Sequence, residues 1–169
     1  GHCDTPMELY LRQEDLQDNT CQVSLERAKK LPGYVQFHAF CTVWLQKEGS
    51  FEVHYQNALA NFRRELDENA EQVVRCGTEA DARKAIKAGK CGAFLSIEGA
   101  EAISCDPGKL DLAYEQGIRM IAPVWNAENA LAGSCVTGGG LTAQGREFVR
   151  RAQKLGIILD VSHLSEKGF

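Results

Sequence analysis

CGAFLSIEG (residues 91–99) is a run of strand length that stays apolar until Glu98, its one charged residue. A short apolar run of this kind, bounded by turn signals, reads as a buried strand. The neighbouring segments decide what kind of sheet it belongs to. Before it comes TEADARKAIKAG (78–89), a helix with Thr78 as N-cap and Gly89 as its stop. After it comes KLDLAYEQG (109–117), a helix closed by Gly117. YVQFHAFCTVWL (34–45), IRMIAPVW (118–125) and GIILDVSHLS (156–165) repeat the strand pattern, and the opening GHCDTP supplies a fifth strand. Phe51, Tyr55, Leu59, Phe62, Leu66, Ala70, Val73 and Val74 recur at spacings of three and four and predict one long amphipathic helix. TAQGREFVRRAQKLG (142–156) predicts another, with Arg150, Arg151 and Lys154 toward its end, where cations suit the helix dipole. Strand and helix therefore alternate, which argues for parallel β/α units rather than a sandwich or a bundle.

An open doubly wound sheet would carry a glycine-rich phosphate loop in its first turn, and GHCDTP has none. A closed eight-stranded barrel usually needs about 250 residues. The 169 residues are thus expected to be the N-terminal portion of a single (β/α)8 TIM-type barrel domain, with about five of its eight strands. Their 44% hydrophobic and 25% charged residues are ordinary globular values. A net charge of -4 without a basic run gives no footprint for nucleic acid or an anionic membrane. No apolar stretch reaches the roughly 18 residues that a membrane span needs. Seven cysteines, at 3, 21, 41, 76, 91, 105 and 135, form no C-x-x-C pair, and most sit in or beside apolar runs as small hydrophobes. That usage favours a reducing, cytoplasmic compartment, although the abrupt start at Gly1 is also what removal of a leader would leave.

In a barrel the catalytic groups gather at the C-terminal ends of the strands. Residues i and i+2 of a strand share a face, so His2 and Asp4 would project together while Cys3 points away. Taken alone, H-x-D is as well explained by a chance pairing. Glu98 ends the third expected strand and His163 stands at the end of the fifth. Singly, these two read as a salt-bridged carboxylate and a hydrogen-bonded core histidine. Buried there without partners, however, they would cost roughly several kcal/mol, and a divalent metal would satisfy all four residues.

GHCDTP, SIEGA, WNAENALAG and the block GLTAQGREFVRRAQKLGIILDVSHLS, in this order, resemble the membrane dipeptidase (renal dipeptidase) family, peptidase family M19, in its bacterial branch. The resemblance implies a metal-dependent hydrolase barrel and a zinc-dependent dipeptidase with two Zn2+ per chain. His2 and Asp4 would ligate one zinc, Glu98 would bridge both, and His163 would ligate the second. A hydroxide between the ions, roughly 3.5 Å apart, would attack the scissile carbonyl while one zinc polarises its oxygen. The family's second histidine of that zinc, its catalytic aspartate and its substrate arginine have no counterpart within Phe169. Some members carry a substrate-contacting histidine where Trp125 stands, so Trp125 and Asn126 are the expected substrate contacts. The substrates implied are small dipeptides, with a D-residue at the C-terminal side as one option. A homodimer is compatible with all of this.

Two rival functions stay open. One is another metal-dependent amidohydrolase acting on an amide or ester, although that group typically opens with H-x-H. The other is a non-catalytic barrel used as a binding protein. The remaining features have plain alternatives. Gly138 to Gly140 fit a flexible active-site loop better than a phosphate cradle. Asn126, Glu128 and Asn129 line a pocket or cap a loop. His38 and His54 read as structural, Cys3 as packing, and Asp160 as a helix-facing hydrogen-bonding residue on the side opposite His163.

Overall fold

The structure is a computed structural model and describes residues 1–45 and 50–169. The chain divides into two compact units, Gly1–Phe40 with Gln56–Leu95 and Cys41–Tyr55 with Ser96–Phe169.

In the first unit β1 (His2–Cys3) pairs in parallel with β2 (Val35–Phe40), placing His2 opposite Phe37 and Cys3 opposite His38. β3 (Val73–Arg75) pairs in parallel with the start of β4 (Cys91–Glu98). β2 lies on the other edge of β4, where the Gly92 N–H donates to the Tyr34 carbonyl at 3.0 Å. The helices are α1 (Thr5–Arg12), the single turn α2 (Leu25–Ala28), the part of the long α3 (Phe51–Glu68) from Gln56 onward, and α4 (Glu79–Lys87). Alternation along β2 sorts its side chains. His38 and Phe40 meet Phe62 of α3, with ring centroids 4.8 and 6.2 Å apart, while Phe37 on the other face stacks on Phe94 of β4 at 5.0 Å.

In the second unit β5 (Ile118–Ala122) pairs in parallel with β6 (Ile158–Leu159), and the Gly99 N–H just beyond β4 donates to the Ala122 carbonyl at 3.2 Å. α5 (Leu110–Glu115) and α6 (Ala143–Leu155) pack here, tied by an Arg151–Asp111 ion pair, and Leu110, Ile118, Ile121 and Phe148 are fully buried. Thr142 caps α6 through Gly145 N–H, and Gly156 ends it in the left-handed region. Thr78 caps α4 in a reciprocal box with Asp81.

The architecture is the parallel α/β arrangement of the expected barrel class. All five expected strands exist, and β3 adds a sixth. Val73 and Val74 do not continue the long helix. α3 stops at Glu68, a turn closes on the Asn69 carbonyl through the N–H groups of Gln72 and Val73, and the two β-branched residues pair with Cys91 and Gly92. Several strands are shorter than their apolar runs. β1 ends at Cys3, β2 at Phe40 ahead of a 3₁₀ turn Val43–Leu45, β5 at Ala122 and β6 at Leu159. No described helix is long and apolar enough to cross a membrane.

Two predictions follow from these buried positions. Burial holds the His38 imidazole down at about 3 against an ordinary 6.5. The unfolded chain binds that proton below 6.5 while the fold refuses it, so stability is lost as the pH drops from 6.5 toward 3, by about 1.4 kcal/mol per unit. Denaturant unfolding between pH 4 and 7 should show the slope flattened in His38→Phe, and an unchanged slope would contradict a neutral buried imidazole. Gly145→Ala would place its Cβ 2.0 Å from the Leu131 carbonyl oxygen. Overpacking of this kind should cost about 2 kcal/mol or more, read as a lower denaturation midpoint.

Candidate metal centre

Along β4, Gly92, Phe94, Ser96 and Glu98 project to one side and Cys91, Ala93, Leu95 and Ile97 to the other. The second set is aliphatic and buried; the first ends in a carboxylate whose side chain is only 8% exposed. Glu98 Oε1 lies 2.9 Å from Nε2 of His163. A carboxylate with two oxygens beside an imidazole nitrogen, at a strand end, is a donor set suited to a divalent ion such as zinc.

His163 does not sit on a strand. β6 ends at Leu159, and a turn presents the imidazole. Asp160 shapes that turn: its Oδ1 accepts from the N–H and hydroxyl of Ser162, rather than from a helix. The period-two argument that set Asp160 opposite His163 fails because the strand ends before either residue. A second loop holds the turn from outside. The Cys135 N–H donates to the His163 carbonyl at 2.8 Å, Ser165 N–H donates to the Gly133 carbonyl at 3.3 Å, and the Ser165 hydroxyl donates to the Gly139 carbonyl.

That second loop is the glycine-rich segment, and it is folded upon itself. The Ser134 hydroxyl donates to the Asn126 carbonyl at 2.7 Å and accepts from the N–H groups of Val136 and Thr137. A Cβ on Gly133 would stand 1.5 Å from the Gly138 carbonyl oxygen, and Gly138 and Gly139 have φ of +72° and +89°. These glycines permit a close backbone crossing, and their carbonyls and neighbours brace the His163 turn. Ser134, Cys135 and Ser165 are thus supporting residues that sequence reading missed. The glycine spacing was their only signal.

In the first unit His2 lies opposite Phe37 and shares its side of the strand pair, the side on which Phe37 meets Phe94. Cys3 faces the other way, with Sγ 3.4 Å from Nδ1 of His38, so it packs away from His2 as alternation requires. Asp4 departs from the expected extended geometry. With φ −90° and ψ 11° it occupies the N-cap of α1, yet its side chain does not cap that helix. His2, Asp4 and Glu98 each offer a ring nitrogen or carboxylate oxygen of the kind that holds a metal ion.

Around the second-unit pair, Trp125 lies beyond β5, its ring 6.2 Å from the His163 ring at a tilt of 51°. Asn126 follows it on the surface, and it and the exposed Glu128 line the same cavity as Trp125. Asn129 both lines the cavity and caps the loop: its amide donates to Pro123 O and Glu101 Oε1 and accepts from Leu131 N–H. His38 and His54 are buried. All seven cysteines are free thiols, and burial pushes Cys105 up to about 12, which makes it inert.

Comparison with known proteins places this geometry. The sequence is 33% identical over 113 residues to the "Uncharacterized protein in PQQ-III 3'region" of Acinetobacter calcoaceticus, covering 62% of this chain and 36% of that protein. Two solved structures are similar over 99% of the chain. Dipeptidase AC, a metallopeptidase of family M19, superposes with a TM-score of 0.82 at 29% identity, the chain covering 56% of it. A metallopeptidase from Rhodobacter sphaeroides, liganded with a phosphinate mimic of L-Ala-D-Ala, gives 0.81 at 26% and 58%. The chain spans little more than a third of the Acinetobacter relative's length and somewhat over half of each of these two solved chains. The family that matches from residue 1 to residue 169 is described as membrane dipeptidase (peptidase family M19), and to that family this chain belongs.

Proposed function

We propose that this chain supplies part of the active site of a zinc-dependent dipeptidase and forms the N-terminal portion of one barrel domain. The observation that carries the proposal is the Glu98–His163 contact at 2.9 Å, a buried carboxylate and an imidazole brought together beyond β4 and β6 in a chain of a metallopeptidase family. The donor chemistry fits a pair of zinc ions. His2 and Asp4 would hold one, Glu98 would give one oxygen to each, and His163 would hold the second. When bound, the pair would activate water near neutral pH and polarise the scissile carbonyl.

The residues of this chain have distinct tasks in that scheme. Glu98, almost wholly shielded from water, is a carboxylate whose charge a bound dication would compensate. The hydrogen bonds from Cys135 and within the Asp160–Ser162 turn hold the backbone from which the His163 side chain projects. Trp125, with Asn126 beside it, would form one wall of the dipeptide site next to His163. The Rhodobacter sphaeroides protein carries a dipeptide mimic of L,D configuration, which motivates L,D dipeptides as the first substrates to try.

The intact protein should contain about two zinc per chain by elemental analysis and hydrolyse Ala-Ala in L,L or L,D form. Two metals without turnover on any dipeptide would favour the amidohydrolase alternative. Glu98→Ala should reduce bound zinc to one or none and turnover by more than about a hundredfold; two tightly bound ions in that variant would refute the bridging role. Gly133→Ala, which drives a Cβ into the Gly138 carbonyl, should destabilise the protein by about 2 kcal/mol or more. It should also weaken zinc binding, because the loop bracing His163 is disturbed; unchanged zinc affinity would show that the brace is dispensable.

A further inference from the structure

Glu101 lies in the 3₁₀ turn Ala100–Ile103 that follows β4, and only half of its carboxylate is engaged. Oε1 accepts from the Asn129 amide at 3.0 Å. Oε2 is buried and has no hydrogen-bond partner among the described residues. The carboxylate borders a cavity of about 410 Å³ lined also by Val43, Phe51, Trp125, Asn126 and Asn129. Gly99 lets Oε2 pack closely against the main chain. A Cβ there would stand 3.0 Å from Oε2, 3.2 Å from Val43 Cγ1 and 3.6 Å from Trp125 Cβ, and the φ of +89° favours glycine.

The lining selects a ligand by elimination. An anion would face the carboxylate, and a purely apolar group would leave Oε2 unsatisfied. A cation at the end of an apolar stem meets both demands: its charge is balanced by the Glu101 carboxylate, the stem lies against Val43 and Phe51, and the Trp125 ring can attract the cation through its face. We propose that this cavity receives an ammonium or guanidinium group on an apolar stem, with Glu101 as its counter-ion, and that it thereby selects dipeptides with a basic side chain. The substrate assignment rests on the dipeptidase reading; the cation site does not. Burial raises the Glu101 carboxyl above its ordinary range.

The test uses the intact protein and Glu101→Gln, which keeps the acceptor for Asn129 and removes the charge. Circular dichroism and the thermal midpoint of the unliganded variant verify folding. Calorimetric titration with n-pentylammonium and with 1-pentanol reads the site apart from catalysis. The expected result is saturable binding of the ammonium alone, weakened at least tenfold in a folded Glu101→Gln. Equal binding by both proteins, or none by the unmodified one, overturns the proposal. Hydrolysis of Lys-Ala against norleucine-Ala then reads the substrate assignment, with kcat/KM for Lys-Ala expected to fall at least tenfold more than for norleucine-Ala in the variant. Equal losses on the two substrates overturn basic selectivity. Ammonium binding that depends on Glu101, with no dipeptide hydrolysed, sinks the dipeptidase reading and leaves the cation site standing.

Discussion

β4 is the constraint on which the rest depends. Its start is hydrogen-bonded on both edges, by β2 and by β3, and all its residues but Phe94 are buried. A strand in that position tolerates apolar or small residues on both faces and has no solvent for a charge. Yet it ends in Glu98. The carboxylate is held at a defined place by a ladder that cannot slip one residue without turning Glu98 toward the aliphatic side of Ala93, Leu95 and Ile97. Placement of the site is thus inherited from the register of the sheet.

The loops complete what the strand ends begin. His163 reaches Glu98 through a turn shaped by Asp160 and braced by the segment from Gly133 to Gly139. The brace works because main-chain groups cross at distances that only glycine allows. Rigid strands carrying shaped loops are the usual way that α/β folds separate stability from chemistry. Here the separation shows in the side chains: the hydroxyls of Ser134 and Ser165 bind backbone, whereas Glu98 and His163 bind each other.

The same region carries a second, part-buried carboxylate with another kind of neighbour. Glu98 meets an imidazole; Glu101, three residues on, meets the Asn129 amide and an apolar cavity with Trp125 on its wall. The two acids thus have different environments within one turn of chain, and environment sets what a carboxylate does. Asn129 links the loop after β5 to the turn after β4, since its amide binds Pro123 O and Glu101 Oε1 together.

Much of this was legible before any coordinates. The alternation of apolar runs with Gly-terminated helices set the parallel α/β class, because burial period and capping chemistry are local properties. Thr78, Gly89, Thr142 and Gly156 act at helix ends as their types require. The sequence alone also singled out His2, Asp4, Glu98 and His163, through spacing, strand ends and family motifs. What it did not contain was where each strand stops. Val73 and Val74 fit a helical period yet pair with β4, and DVSHLS reads as strand yet turns after Leu159. A strand's length depends on whether a neighbour offers it hydrogen bonds, which is a property of contacts distant in sequence. For that reason only the tertiary structure decided how Asp160 and the glycine loop present His163, and that Glu101 faces an apolar cavity with one oxygen unmet.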